Sequence, residues 1–173
     1  EPCPDTFSYL SYNTVRCRNV SCYERAVTDH SGEVRLFLHP TSCASHSLYD
    51  LSGGSSVLSV PAVALDDFVR EAAISRVNLV KIDVEGAELL VLRGMRRLVE
   101  MQQGIMLIVE FYLPHLRSAG VGPEALLSEI RAMGFVIHMV GARGEVLRVD
   151  DNTALVDEFA MSGKCGNLFC IKS

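Results

Sequence analysis

Two acids and a lysine interrupt what otherwise reads as a buried strand. In residues 78–94, NLVKIDVEGAELLVLRG, strand alternation puts Lys81, Asp83 and Glu85 on one side of the chain. Leu79, Val80, Ile82 and Val84 supply the apolar, β-branched character of a sheet interior. Such an interior does not accept unpaired charge, so the acids belong at the strand's carboxyl end, where open α/β sheets bind ligands. A carboxylate placed there can hold a hydroxyl or accept its proton. A second apolar run, GIMLIVEF at residues 104–111, reads as a strand covered on both faces and closes on one acid, Glu110. If the two strands are parallel neighbours, Glu110 stands beside Asp83 and Glu85. Residue types do not rank the three acids as a base, and one of them can instead pair with Lys81. Residues 112–115 read as a loop, so Tyr112 and His115 border the same mouth. Nothing in the sequence fixes a partner for His115, which favours a place at the surface or behind the site.

The elements that hold these groups alternate. Gly86 ends the strand, and residues 87–98 read as a helix that opens with Glu88 and closes with Arg93, Arg96 and Arg97, matching the helix dipole. Upstream, residues 5–16 read as a helix capped by Asp5 or Thr6, with Phe7, Leu10 and Val15 on its apolar side. Residues 20–27 and 33–38 read as strands around a turn at 28–32. The Ser- and Gly-rich stretch 41–56 lacks periodicity and reads as an irregular excursion on the surface or over a site, its serines and His46 facing solvent rather than acting in catalysis. Pro61 demotes the strand at 57–63 to a sheet edge. Residues 65–73 form a short helix whose Asp66 and Asp67 are first-turn acids, outside the site. Pro123 introduces a helix at 124–133, Gly134 stops it, and 135–140 returns as a strand. A turn at 141–144, a short strand at 145–149, a polar connection at 150–163 and a final strand at 166–172 complete the chain. This alternation predicts one α/β domain, residues 1–173, around a largely parallel sheet.

Composition narrows the partners. A hydrophobic fraction of 49% over 173 residues supports a folded core. A net charge of -5 argues against nucleic acid, whose binding rests on clustered Lys and Arg. No apolar run approaches a membrane span, and no signal segment is visible, so the expected setting is the cytoplasm. Six dispersed cysteines read as reduced thiols. The repeated spacing of Cys17 with Cys22 and Cys165 with Cys170 is not that of a zinc knuckle, and no metal site is expected in this chain.

KIDVEGAE followed by LRG resembles the signature of the FkbM family of S-adenosylmethionine-dependent methyltransferases. Glu1-Pro2, the AVTD segment at 26–29, the LDD at 65–67 and the acid at the end of the 104–111 strand also fit that pattern. The resemblance implies a Rossmann-like class I sheet, mostly parallel, finished by a C-terminal antiparallel hairpin. It implies S-adenosyl-L-methionine as cofactor and a hydroxyl on a small molecule or glycan as acceptor. Glu1, with Pro2, would meet the cofactor ribose, Ala26 and Val27 the adenine, and Asp83 the methionine part. Asp83, Glu85 and Glu110 would be the candidate acids of the reaction, with Tyr112 and His115 toward the acceptor. The family's first strand and glycine-rich turn are not found in these residues, so the domain is expected to be N-terminally incomplete. The second expectation is accordingly a non-catalytic methyltransferase-like domain that works through a partner, or a homo-oligomer that covers the opened sheet.

Overall fold

The structure, a computed structural model, describes residues 1–141 and 143–172. Its strands form two sheets. The first has the order β1-β3-β2, from β1 (Ala26–Thr28), β2 (Gly32–Leu38) and β3 (Ser56–Ala64). The second has the order β4-β5-β8-β6-β7, from β4 (Leu79–Ile82), β5 (Met106–Phe111), β6 (Phe135–Val140), β7 (Val146–Arg148) and β8 (Gly166–Lys172). The domain is α/β as its alternating pattern implies. The expectation of a mostly parallel sheet is not met: only β1 with β3 and β4 with β5 run parallel among the described strands. The other pairings are antiparallel, because β2 returns directly on β3 and β8 slots between β5 and β6. The last two strands do not form the expected hairpin with each other. β7 turns back on β6 instead, and β8 takes the central place.

Register delivers the site. Ile82 pairs with Val109 in the parallel β4–β5 ladder, so Asp83 follows at the level of Glu110, the neighbourhood expected of adjacent parallel strands. Among the described strands β4 has a partner on one side only, and Leu79, expected in the interior, is 47% exposed. Pro61 does not mark an edge strand; β3 is the middle of its sheet. The proline is tolerated because β1 pairs with β3 only from Ala62 onward, leaving Pro61 with β2 alone opposite Glu33.

Helices close the layers. α1 (Pro4–Thr14) starts with Pro4 in its first turn and Cys3 as cap, two or three residues before the expected Asp5 or Thr6. Its expected apolar side stays outside the core, with Val15 exposed just beyond the helix, and buried Cys3 anchors the segment against Ala26, Leu36 and Val60. Residues 20–25 are irregular rather than strand. α2 (Leu65–Glu71) follows β3 directly. The single helix expected at 87–98 is two, α3 (Glu88–Arg93) and α4 (Arg96–Met101), parted at Gly94 and Met95. The 112–115 stretch is not a loop but leads into α5 (Leu113–Ser118), since Pro114 suits a first helical turn and Leu113 and Leu116 are buried. α6 (Pro123–Ala132) is as expected. The connection at 150–163 contains α7 (Asn152–Ser162), where Asp151 caps Thr153 and Ala154 N–H groups and Leu155, Val156 and Phe159 face the core.

The main core lies between β5, β8 and β6 and the helices α3, α6 and α7. Leu107, Val109, Phe111, Ile137, Leu168 and Leu126 are fully buried in it, each contributing roughly 1.5–3 kcal/mol by area. Phe111 meets Phe159 edge to face at 5.0 Å. Among the described residues no helix is long and apolar enough to cross a membrane.

Candidate active site

The site begins where β4 stops. Glu85 adopts φ +53° and Gly86 φ +97°, left-handed conformations that turn the chain sharply between Asp83 and α3. A left-handed glutamate costs about 1–2 kcal/mol, so its surroundings must hold it. Glu88 does so from within: it is 2% exposed, and its Oε1 accepts from Gly86 N at 3.1 Å and Val84 N at 3.4 Å. From outside, Ser47 Oγ donates to the Glu85 carbonyl at 2.6 Å. Position 86 needs glycine twice over, because a Cβ there would come within 3.0 Å of the His115 carbonyl.

The strained turn carries Glu85 toward α5, where its Oε2 lies 2.6 Å from His115 Nδ1. The pair is not aligned as a hydrogen bond, and among the described residues the buried Nδ1 has no hydrogen-bond partner. Burial, then the like charges of Glu110, Asp83 and Glu88, push the Glu85 carboxyl up to about 7. Burial pushes His115 down, although Glu110 opposes it. Glu110 takes a thiol hydrogen bond from Cys165 Sγ at 3.2 Å. The Cys165 thiol is raised to about 12, by burial first and by Glu110 next. Asp83 is bound at 2.5 Å by Lys81, the lysine expected to compete for one of the acids. Tyr112 packs edge-on against His115 at 4.5 Å between ring centres.

In front of this cluster, between the two sheets, lies a cavity of about 230 Å³. Glu1, Pro2, Ala26, Val27, Asp83 and Glu85 line it together. Glu110, Tyr112 and His115 do not line it; Glu110 and His115 gather at Glu85, and Tyr112 packs on His115. The 41–56 loop, expected on the surface or over a site, covers the cavity and contributes Cys43, His46 and Ser47, the latter two expected to face solvent. Ser47 is fully buried, and His46 Nδ1 accepts from His39 N at 3.0 Å. The sequence allows this stretch to lie over a site but does not single out either residue, because a Ser-rich stretch without periodicity carries no sign of which side chains it will turn inward. Arg25, held by Glu71 at 3.4 Å, is the cationic residue of the lining.

A larger cavity of about 440 Å³ lies between α2 and α4 and contains none of the Glu85 cluster. Asp66 on its wall serves the architecture. The carboxylate accepts from Leu98 N at 2.8 Å and Arg97 N at 3.1 Å, capping α4.

Known proteins resemble this chain in sequence. The family described as Methyltransferase FkbM domain matches residues 1–137. A curated relative, the hexuronic acid methyltransferase AglP of Haloferax volcanii, is 32% identical over 135 residues. The match takes in 76% of this chain and 52% of the relative, so the chain spans about half the length of that protein. No solved structure matches.

Proposed function

The chain belongs to the FkbM methyltransferase family, and on that premise we propose that it moves a methyl group from S-adenosylmethionine to a hydroxyl of a sugar or similar small molecule. The observation that carries this reading is the convergence of Glu1, Pro2, Ala26, Val27, Asp83 and Glu85 on one cavity from separate parts of the chain.

The donors and acceptors present suit the adenosine half of the cofactor. One oxygen of the Glu1 carboxylate is taken by Cys3 N at 2.8 Å, and the other remains to accept from ribose hydroxyls. Ala26 and Val27 offer an apolar wall for a flat base. At about 230 Å³ the cavity is smaller than the roughly 300 Å³ at the lower end of pockets for drug-sized ligands, so these residues embrace part of such a molecule. When bound, the cofactor supplies an electrophilic methyl group on a positively charged sulfur. The chain itself must place the acceptor oxygen in line and take its proton. Asp83 and Glu85, the acids that the turn after β4 brings to the cavity wall, are the acceptors for that proton, with Glu110 beside Glu85. Ser47 keeps the turn bearing Glu85 in place, and the loop around it shields the wall from water.

The relative's name points to a sugar acid as acceptor class. A wall of carboxylates repels a sugar's own carboxylate, so such an acceptor would turn a hydroxyl toward Asp83 and Glu85 and its acid group toward Arg25. The test is calorimetric titration with S-adenosylmethionine, followed by labelled methyl transfer to neutral and uronic sugars. Binding with transfer that falls in Asp83→Asn or Glu85→Gln supports the reading. A folded, monomeric chain that binds no S-adenosylmethionine sinks it.

The small cavity and the one-sided pairing of β1 and β4 among the described strands also favour a second reading, a methyltransferase-like domain that acts through a partner or a dimer interface. Absent cofactor binding together with a concentration-dependent change in mass supports that alternative.

A further inference from the structure

Behind the cavity wall three elements bring one ligand atom each to a common point. The turn after β4 presents Glu85, the carboxyl end of β5 presents Glu110, and α5 presents His115, with all three atoms within 4.8 Å of one another. We propose that Glu85, Glu110 and His115 bind a divalent cation of the manganese or zinc kind.

The bonding within the cluster leaves room for this. Among the described residues His115 Nδ1 is buried without a hydrogen-bond partner, although a carboxylate oxygen stands 2.6 Å away. Two atoms that converge so closely without forming a hydrogen bond are placed as two ligands of one centre are placed. Glu110 receives a thiol, which is a weak donor. Among the described residues no lysine or arginine pairs with Glu85 or Glu110, and Lys81 is engaged by Asp83. Two glutamate side chains and a histidine ring are ligand types that divalent ions take. Their mixture of oxygen and nitrogen suits manganese, iron or zinc better than magnesium or calcium, which prefer oxygen throughout.

Geometry agrees. Ligands about 2.1 Å from an octahedral ion stand roughly 3 Å apart when adjacent and roughly 4 Å when opposite, so small side-chain rotations close this set on an ion. Three protein ligands leave positions open, and Glu85 sets the ion at the wall of the cavity. Its use there, to hold the acceptor oxygen and ease loss of its proton to Asp83, rests on the methyl-transfer reading. Ion binding itself does not.

The test is titration of the chelator-treated full chain with manganese chloride, following free ion by electron paramagnetic resonance. One ion per chain is expected, with affinity reduced about tenfold or more in His115→Ala and in Glu110→Gln and unchanged in Glu124→Gln at an exposed position on α6. Paramagnetic broadening of the His115 ring signals in the unaltered protein locates the ion without any variant. No saturable binding by the folded chain, binding insensitive to both substitutions, or broadening centred elsewhere overturns the proposal. Ion binding without methyl transfer would count against the activity alone, and methyl transfer without ion binding against the ion alone.

Discussion

Replacing Gly94 by alanine should loosen the joint that holds the two halves of the cavity together. Gly94 closes α3 and faces the end of β1, the strand that brings Ala26 and Val27 to the cavity. A Cβ at this position would lie 2.1 Å from the Thr28 carbonyl oxygen and 3.1 Å from Asp29 Cα. Both obstacles are backbone, so no side-chain rotation relieves them, and either α3 or β1 must move by about 1 Å to restore ordinary contact. The glycine's own φ is -78°, which alanine adopts freely, so the cost is contact and not conformation. Forcing an extra carbon into a packed site costs about 1–3 kcal/mol, and a clash this deep belongs at the upper end. Reduced freedom of the unfolded chain returns about 0.4–1 kcal/mol, leaving a net loss of roughly 2 kcal/mol. For a chain of this size that lowers the melting temperature by about 4–8 °C. Thermal unfolding followed by circular dichroism measures it. Gly122→Ala is the control, since φ there is -67° and the nearest contact is a flexible carboxylate at 3.8 Å; it should stay within about 1 kcal/mol of the parent. A melting temperature for Gly94→Ala within about 2 °C of the parent would refute the close α3–β1 contact.

Burial raises the Glu88 carboxyl above its ordinary 4.5, so the folded state favours its protonated form. The stability this contributes is full below about pH 4.5 and is lost as pH rises through the folded value. Glu88→Gln, which stays neutral, should therefore lose less stability than the parent as pH rises above about 4.5 in urea titrations; parallel curves would contradict this. Ser47→Ala removes the hydrogen bond to the Glu85 carbonyl and should cost about 1–2 kcal/mol, with faster amide exchange in residues 84–86; unchanged exchange would show that the turn holds itself. Asp151→Ala deletes the α7 cap on Thr153 and Ala154 and should cost about 1 kcal/mol by denaturant unfolding, with no cost if water replaces the carboxylate fully.

The strands that form the site's acid edge are readable in the sequence because a β-branched run suits a buried strand and a single closing charge must reach water or a ligand at its end. That pattern places Asp83, Glu85 and Glu110 side by side, and the parallel β4–β5 register bears the placement out. What escapes is set by tertiary contact. Nothing in 150–163 announces that Leu155, Val156 and Phe159 will find a core to cover, and the polar residues between them hide the helical period. Pro61 argues for an edge by its missing N–H, yet the strand is central because β1 begins to pair one residue later. Ser47 and His46 belong to the site only through the path of a loop, and a loop's path depends on the elements it crosses. His115 is visible as a histidine near the mouth, but its partner depends on the left-handed turn at Glu85, a conformation no propensity favours for glutamate.

The central place of β8 bears on how the protein is made. β5 is a strongly apolar strand, and one of its edges stays open while the chain from Phe111 to Gly166 is synthesised. Only when Gly166–Lys172 emerges can β5 and β6 be joined, so the sheet cannot close on the ribosome until this late segment is free. Such distant pairing makes folding slow and leaves MLIVEF available to neighbouring chains in the interval. Shortening the chain by the β8 residues should accordingly yield aggregates and not a smaller folded domain.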